Sequence, residues 1–158
     1  LADGASIYRN VDATLWGGEA DWSWRGEHLR WSLGLGYVRG ANDSDATPLP
    51  QMPPLQGRVT VTWHGGDWRL GALGDVAGRQ DRVDPESGLD LGPTPGHAVV
   101  GLRAESRLDH GLSLRLGVDN LFDKAYAGHL NRASAFDPDV TRVNEPGLRA
   151  WATALWEF

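Results

Sequence analysis

Apolar and polar residues alternate one by one through most of this chain. From Leu112 to Asp119 the order is Leu-Ser-Leu-Arg-Leu-Gly-Val-Asp. Successive strand side chains point to opposite faces, so this pattern specifies a strand that is apolar on one face and polar on the other. Leu29 to Tyr37 repeats it with an apolar residue at every odd position, Val59 to Trp63 does the same, and Val100 to Glu105 alternates with its apolar residues at even positions. Trp68 to Ala72 follows the pattern, less cleanly after Leu73. A first strand is predicted from about Tyr8 to Arg25, with Glu19, Asp21 and Ser23 on one face and Ala20, Trp22 and Trp24 on the other. A last strand puts Ala150, Ala152, Ala154, Trp156 and Phe158 on one face, and Arg149, Trp151, Thr153, Leu155 and Glu157 on the other.

The connections alternate too. Residues 25–28, 64–67 and 108–111 are short turns bearing Gly or Asp, suited to tight hairpins. Residues 41–54, 78–97 and 122–145 are long and rich in Pro, Asp, Gly and Asn. Short, long, short, long is the pattern of a plain antiparallel meander that crosses a membrane, with short periplasmic turns and long extracellular loops. The fold class is therefore all-β, an antiparallel transmembrane meander of about seven strands. Seven strands leave two open edges, and unpaired backbone groups in hydrocarbon are costly. The expectation is a C-terminal segment of a larger barrel, residues 1–158, with no plug domain in this chain. The start at Leu1, with no signal peptide, is open to a processed mature N-terminus or a fragment, and the strand count favours the fragment.

Composition is compatible with that reading. A mean hydropathy of −0.39 looks soluble, but a barrel strand is apolar only at alternate positions. No run approaches ~18 apolar residues, which excludes a transmembrane helix. With no Cys, disulfide and thiol chemistry are excluded. A net charge of −6 without a basic cluster argues against nucleic acid as a partner. Eight Trp accompany a single Met. Trp22, Trp24, Trp63, Trp68, Trp156 and Phe158 all fall beside the short turns or the chain end, as half of an aromatic girdle would. The plainer reading is Trp in a soluble core, but a sandwich core does not need Trp clustered at short-turn ends.

The C-terminal third carries a distinctive segment, Asn120-Leu121-Phe122-Asp123-Lys124-Ala125-Tyr126, followed by Glu145-Pro146-Gly147 and a final strand ending at Phe158. This resembles the C-terminus of TonB-dependent receptors, which carry Asn-Leu-Phe-Asp-Lys-x-Tyr, a loop, Pro-Gly-Arg and a terminal Phe. Asn120, Leu121, Phe122, Asp123, Lys124, Tyr126, Pro146 and Gly147 match; Leu148 intervenes before Arg149. Residues 10–19 resemble the family's strand with a Gly-x-Glu centre, and Pro48 to Pro54 its loop-to-strand Pro segment. With residues 126–132 the likeness is greatest to the TonB-dependent copper receptors. The resemblance implies a plugged barrel of about 22 strands in the Gram-negative outer membrane. It implies uptake of a scarce metal or metal complex, copper before an iron–siderophore. It also implies outer-membrane lipid around the barrel, the barrel-assembly machinery reading Trp156 and Phe158, and TonB acting through a missing N-terminal part.

Few residues suggest chemistry of their own. His28, His64 and His110 belong to or adjoin short turns and are expected as solvated turn residues. His97 and His129 lie on the long-loop side with Met52, and soft copper favours Met and His donors. These three are the metal candidates, against ordinary loop polarity. Asp81, Asp84, Glu86 and Asp90 form one acidic loop and Asp137 with Asp139 a second; hard cations such as calcium use such groupings, but solvated loop charge accounts for them too. Arg30, Arg69, Arg103, Glu105, Arg115 and Asp119 are expected to face inward and pair across strands. Nothing resembles a nucleophile–base arrangement, so no enzyme is expected, and no cofactor is implied. Two alternatives compete with the receptor segment. A secreted soluble β-sandwich binding module needs two facing sheets. An outer-membrane enzyme on a small barrel needs a closed barrel and a catalytic cluster.

Overall fold

The computed structural model describes residues 10–133, 139 and 142–157. Eight antiparallel strands form one sheet: β1 (Ala13–Arg25), β2 (Leu29–Asn42), β3 (Thr47–Pro48), β4 (Gln56–Gly65), β5 (Trp68–Ala77), β6 (His97–Arg107), β7 (Leu112–Asp119) and β8 (Arg149–Trp156). The order is β1-β2-β4-β5-β6-β7-β8, each strand beside its chain neighbour, with the two-residue β3 paired to the end of β2. The predicted meander of seven long strands is present, and the sequence pattern missed only β3. The predicted first strand began earlier; Ala13 is where the described strand begins, and Tyr8 lies outside the described residues.

The short turns follow from their residues. Gly66 and Asp67 alone join β4 to β5, and Gly66 has φ 56°, the left-handed region open to Gly. Between β6 and β7, His110 (φ 63°) and Gly111 (φ 75°) reverse the chain inside a 3₁₀ turn. A Cβ on Gly111 would meet the Glu157 backbone carbonyl, so only Gly lets the turn close against the last strand.

The register assigns every strand side chain to one of two faces. Trp24, Trp31, Val61, Ala72, Leu102, Val118 and Ala150 are direct neighbours along one row of the apolar face. Among the described residues no hydrophobic side chain is buried. The accessible surface is 11404 Å². A compact water-soluble protein of this mass would expose roughly 7,800 Å². Among the described residues one sheet with no second layer leaves its apolar face without a core, so the β-sandwich alternative lacks its facing sheet there. That face needs an apolar solvent, and lipid supplies it.

The Trp rim lies on this face. Trp22, Trp24, Trp63, Trp68 and Trp156 are 42–68% exposed. Trp24 folds over Gly26 and Trp63 over Gly65, where a Cβ would collide with the indole. Trp156 Nε1 donates to the His110 carbonyl at 3.0 Å, tying the last strand to the β6–β7 turn. Phe158 lies outside the described residues.

Candidate functional site

The polar face is the candidate site. Following the register across the sheet gives rows of neighbouring side chains. Nearest the long loops, one row is Glu19, Gly36, Gln56, Ala77 and His97; the next is Asp21, Gly34, Arg58, Asp75 and Val99. Towards the short turns, one row is Arg25, Arg30, Thr62, Gly71, Arg103, Gly117 and Trp151. The next contains His64, Arg69, Glu105, Arg115 and Thr153. The first two rows carry Glu19, Asp21 and Asp75 against Arg58. The two lower rows carry Arg25, Arg30, Arg69, Arg103 and Arg115 against Glu105. The face is therefore acidic towards the long loops and basic towards the short turns. Local alternation cannot reveal this division, because the sign of each charge is set strand by strand and the rows only by register.

The expected inward charges do pair across strands. Arg69 Nη1 donates to Glu105 Oε2 at 3.2 Å, and Arg115 Nη2 lies 3.7 Å from Glu105 Oε1. Asp119 accepts from Arg103, from Arg149 Nη2 at 2.8 Å and from Trp151 Nε1 at 3.2 Å. The Trp151 indole lies across Gly117, where any Cβ would collide with it, and Arg103 sits over the ring at 5.1 Å from its centre. Arg30, also expected inward, has no ion-pair partner among the described residues. His64 departs from the expected solvated turn residue: its Nε2 is buried with no partner among the described residues, and its Nδ1 lies 3.5 Å from Arg69 Nε.

At the acidic end a depression of about 680 Å³ is lined by Glu19, Asp21, Arg58, Asp75, His97, Tyr126, His129 and Glu145. Four carboxylates here face one guanidinium. His97, which opens β6, and His129, from the last long loop, share this depression, and Met52 is not among its lining residues. The Met52 carbonyl instead accepts from Gln80 Nε2 at 2.8 Å. The His97 and Tyr126 rings lie 4.3 Å apart, centre to centre. Burial pushes the His129 imidazole below its ordinary pKa, and Arg142 adds to this. His129 is thus neutral at neutral pH, with Nδ1 held 2.9 Å from Thr94 Oγ1 and Nε2 as its second ring donor atom. Burial pushes the Tyr126 phenol up, with Glu145 and Asp75 adding to it. Among the described residues no three His, Asp or Glu converge as a metal cage. The depression offers cation-attracting charge and two imidazoles without a closed ligand set.

The long loops latch together above it. Gln80 and Thr94 form a β-bridge within the second loop, Gln80 Nε2 donates to the Met52 carbonyl of the first, and Arg142 Nη2 of the third donates to the Gly92 carbonyl at 3.1 Å. The carboxylates of the acidic loop bond backbone amides of that loop and of Gln51 in the first long loop. Asp90 accepts from Gln51 N at 2.7 Å and Asp84 N at 2.8 Å, and Asp84 accepts from Glu86 N at 3.1 Å. These carboxylate oxygens serve backbone amides, which fits loop structure better than calcium. Asp137 lies outside the described residues.

The Asn120–Gly147 segment is a clasp. Asn120, 4% exposed with φ 48°, accepts from Lys124 N at 2.9 Å and donates to the carbonyls of Lys124 and Pro146 at 2.9 and 3.2 Å. Asp123 Oδ1 accepts from Leu148 N at 2.8 Å. A Cβ on Gly147 would stand 2.5 Å from that oxygen, so Gly lets the loop pass. Leu148, the residue inserted before Arg149, is the one whose amide the clasp takes; Arg149 then opens β8 opposite Asp119. Leu121 N donates to the Val100 carbonyl at 2.8 Å, whereas Phe122 is 74% exposed. Glu145 N donates to the Tyr126 carbonyl at 2.8 Å and Asn131 Nδ2 to Glu145 Oε1 at 2.8 Å. The clasp thereby carries Tyr126 and Glu145 to the depression.

A single antiparallel meander with a lipid-seeking face and a charged face is a segment of an outer-membrane β-barrel. Residues 1–121 match the family described as TonB dependent receptor-like, beta-barrel, and the chain belongs to that family. The match stops near the start of the clasp, so the strands carry it without most of the terminal motif. Members are receptors and transporters of the Gram-negative outer membrane rather than enzymes. The chain is 30% identical over 143 residues to the ferric enterobactin receptor PirA of Pseudomonas aeruginosa, covering 84% of this chain and 18% of that protein. Among solved structures, the copper transporter OprC superposes with a TM-score of 0.85 at 36% identity, covering 94% of this chain and 24% of that one. The ferric enterobactin receptor PfeA of Pseudomonas aeruginosa superposes at 0.64 with 26% identity, covering 90% and 22%. The chain thus spans about a fifth of the curated relatives it matches.

Proposed function

We infer that the polypeptide carrying this chain is an energy-dependent outer-membrane receptor that takes up a scarce metal, copper before a ferric siderophore. The observation that carries this reading is the acidic depression, which brings His97 and His129 together beside Glu19, Asp21, Asp75 and Glu145. Carboxylates on a low-dielectric wall concentrate cations, and neutral imidazoles are ligands that copper accepts. The likeness to a copper transporter at 36% identity supports it. Met52 stands as a further soft donor only through a loop movement, since it is outside the depression. The siderophore reading is favoured by the 30% identity to a ferric enterobactin receptor.

The rest of the reading follows the family. Residues 1–158 are the C-terminal part of a barrel of about 22 strands, closed around a plug that lies N-terminal to this chain. TonB engages that N-terminal part, and the barrel-assembly machinery reads the terminal strand with Trp156 and Phe158. Asn120, Asp123 and Gly147 act in it as the clasp that seats the last strand.

The test is radioactive copper accumulation by cells expressing the complete receptor, with His97→Ala and His129→Ala combined. Accumulation should fall several-fold at unchanged surface level and should vanish without TonB. Unchanged copper uptake together with lost growth on ferric enterobactin would move the assignment to the siderophore.

A further inference from the structure

We propose that Arg39 docks the phosphate of an anionic lipid in the outer leaflet. Among the described strand residues, Arg39 is the one charged side chain that the register assigns to the apolar face. Every other position on that face is apolar, Gly, Ser or Thr. The Arg39 side chain makes no hydrogen bond or ion pair among the described residues. Its guanidinium lies over the Trp16 ring, 6.0 Å from the centre. Trp16 is itself fixed edge-to-face against Tyr37 at 5.6 Å and 66°, and stays 56% exposed.

The depth of this group follows from strand geometry. Leu29, beside a short turn, and Arg39 are ten residues apart on β2, about 34 Å along a strand rising ~3.4 Å per residue. At a tilt of about 40° this is about 26 Å along the membrane normal, the height of a barrel's apolar band of ~25 Å. With the short turns at the periplasmic edge, Arg39 stands at the outer edge, where lipid headgroups begin. The Trp16 ring lies beside the guanidinium, whose N–H groups have no partner among the described residues. A phosphate takes the edge of a guanidinium through two parallel charge-assisted bonds. Water alone would not need the aromatic support.

The complete receptor in detergent, titrated with diphosphoryl lipid A and followed by native mass spectrometry, tests this. Arg39→Gln should weaken binding about tenfold, the scale of one lost charge-assisted contact. Arg39→Lys, a point charge without the fork, should fall between. Neither change should alter binding of lipid A stripped of its phosphates. Equal binding by Arg39→Gln and the unaltered receptor overturns the proposal. So does an equal loss for the stripped lipid, which would make the contact apolar. Arg39-dependent binding of inorganic phosphate as tight as that of the lipid would overturn the assignment to a lipid.

Discussion

The two faces of this sheet are made by the same strands, one residue apart, yet they are solvated by different phases. On β7, Leu112, Leu114, Leu116 and Val118 face the apolar side, while Ser113, Arg115, Gly117 and Asp119 face the polar side. The apolar face makes few specific contacts beyond its Trp–Gly pairs, because any hydrocarbon satisfies it. The polar face is specific throughout: Asp119 alone has three cross-strand partners. Non-directional burial tolerates repacking but not charge. Directional pairing tolerates loss of one solvated partner but depends on register.

The sharpest way to break this contrast is one charge on each side of β7. Leu116→Arg should destabilise the complete receptor by about 2–4 kcal/mol in denaturant unfolding from lipid vesicles, whereas Arg115→Leu should cost below about 1 kcal/mol. Equal costs would mean that the faces are not solvated differently. Where the two faces end, the clasp should be next in size. Asn120→Ala leaves the Lys124 amide and two carbonyls without their partner, and should cost about 1–3 kcal/mol in the same experiment. A loss confined to a few tenths would show water replacing the side chain.

On the polar face, Arg58 Nε and Asp75 Oδ1 are 2.6 Å apart but 67% and 39% exposed. A double-mutant cycle should give roughly 0.2–1 kcal/mol. A larger coupling would mean that the acidic depression is screened from water. The smallest effect is expected at His129. Its folded pKa is depressed below 6.5, so loop docking through Thr94 is complete above that value. Docking weakens as pH falls from it through the lowered pKa, as the imidazole gains a proton. Hydrogen exchange corrected for intrinsic rate should quicken over residues 120–133 between about pH 7.5 and about pH 5.5. His129→Gln should remove the pH dependence.

Most of the fold was legible because β-geometry is local. A strand's period of two needs no knowledge of the rest of the chain, so Leu29–Tyr37 and Leu112–Asp119 could be assigned to faces on sight. Extending the even-position face of Val59–Trp63 back two residues would also have found Arg58. The site was less legible. Met52, His97 and His129 share a loop side in the sequence pattern, but the structure joins only the two His. Asp75 was missed because the alternation weakens after Leu73, an apolar residue on the polar face. Trp151 could be placed on the polar face from the sequence, but its span over Gly117 to Asp119 could not.

The amino-acid order alone thus determined the strands, their faces, the short and long connections and the terminal segment of the family. These depend on backbone sterics and on which residues hydrocarbon or water will accept. Only the tertiary structure decided which inward charges share a row, why Leu148 sits before Arg149, and which loop residues meet. His129 reaches Thr94 across 35 residues and Arg142 reaches Gly92 across 50. Such contacts exist because register fixes the strand ends that carry the loops, and no local period encodes them.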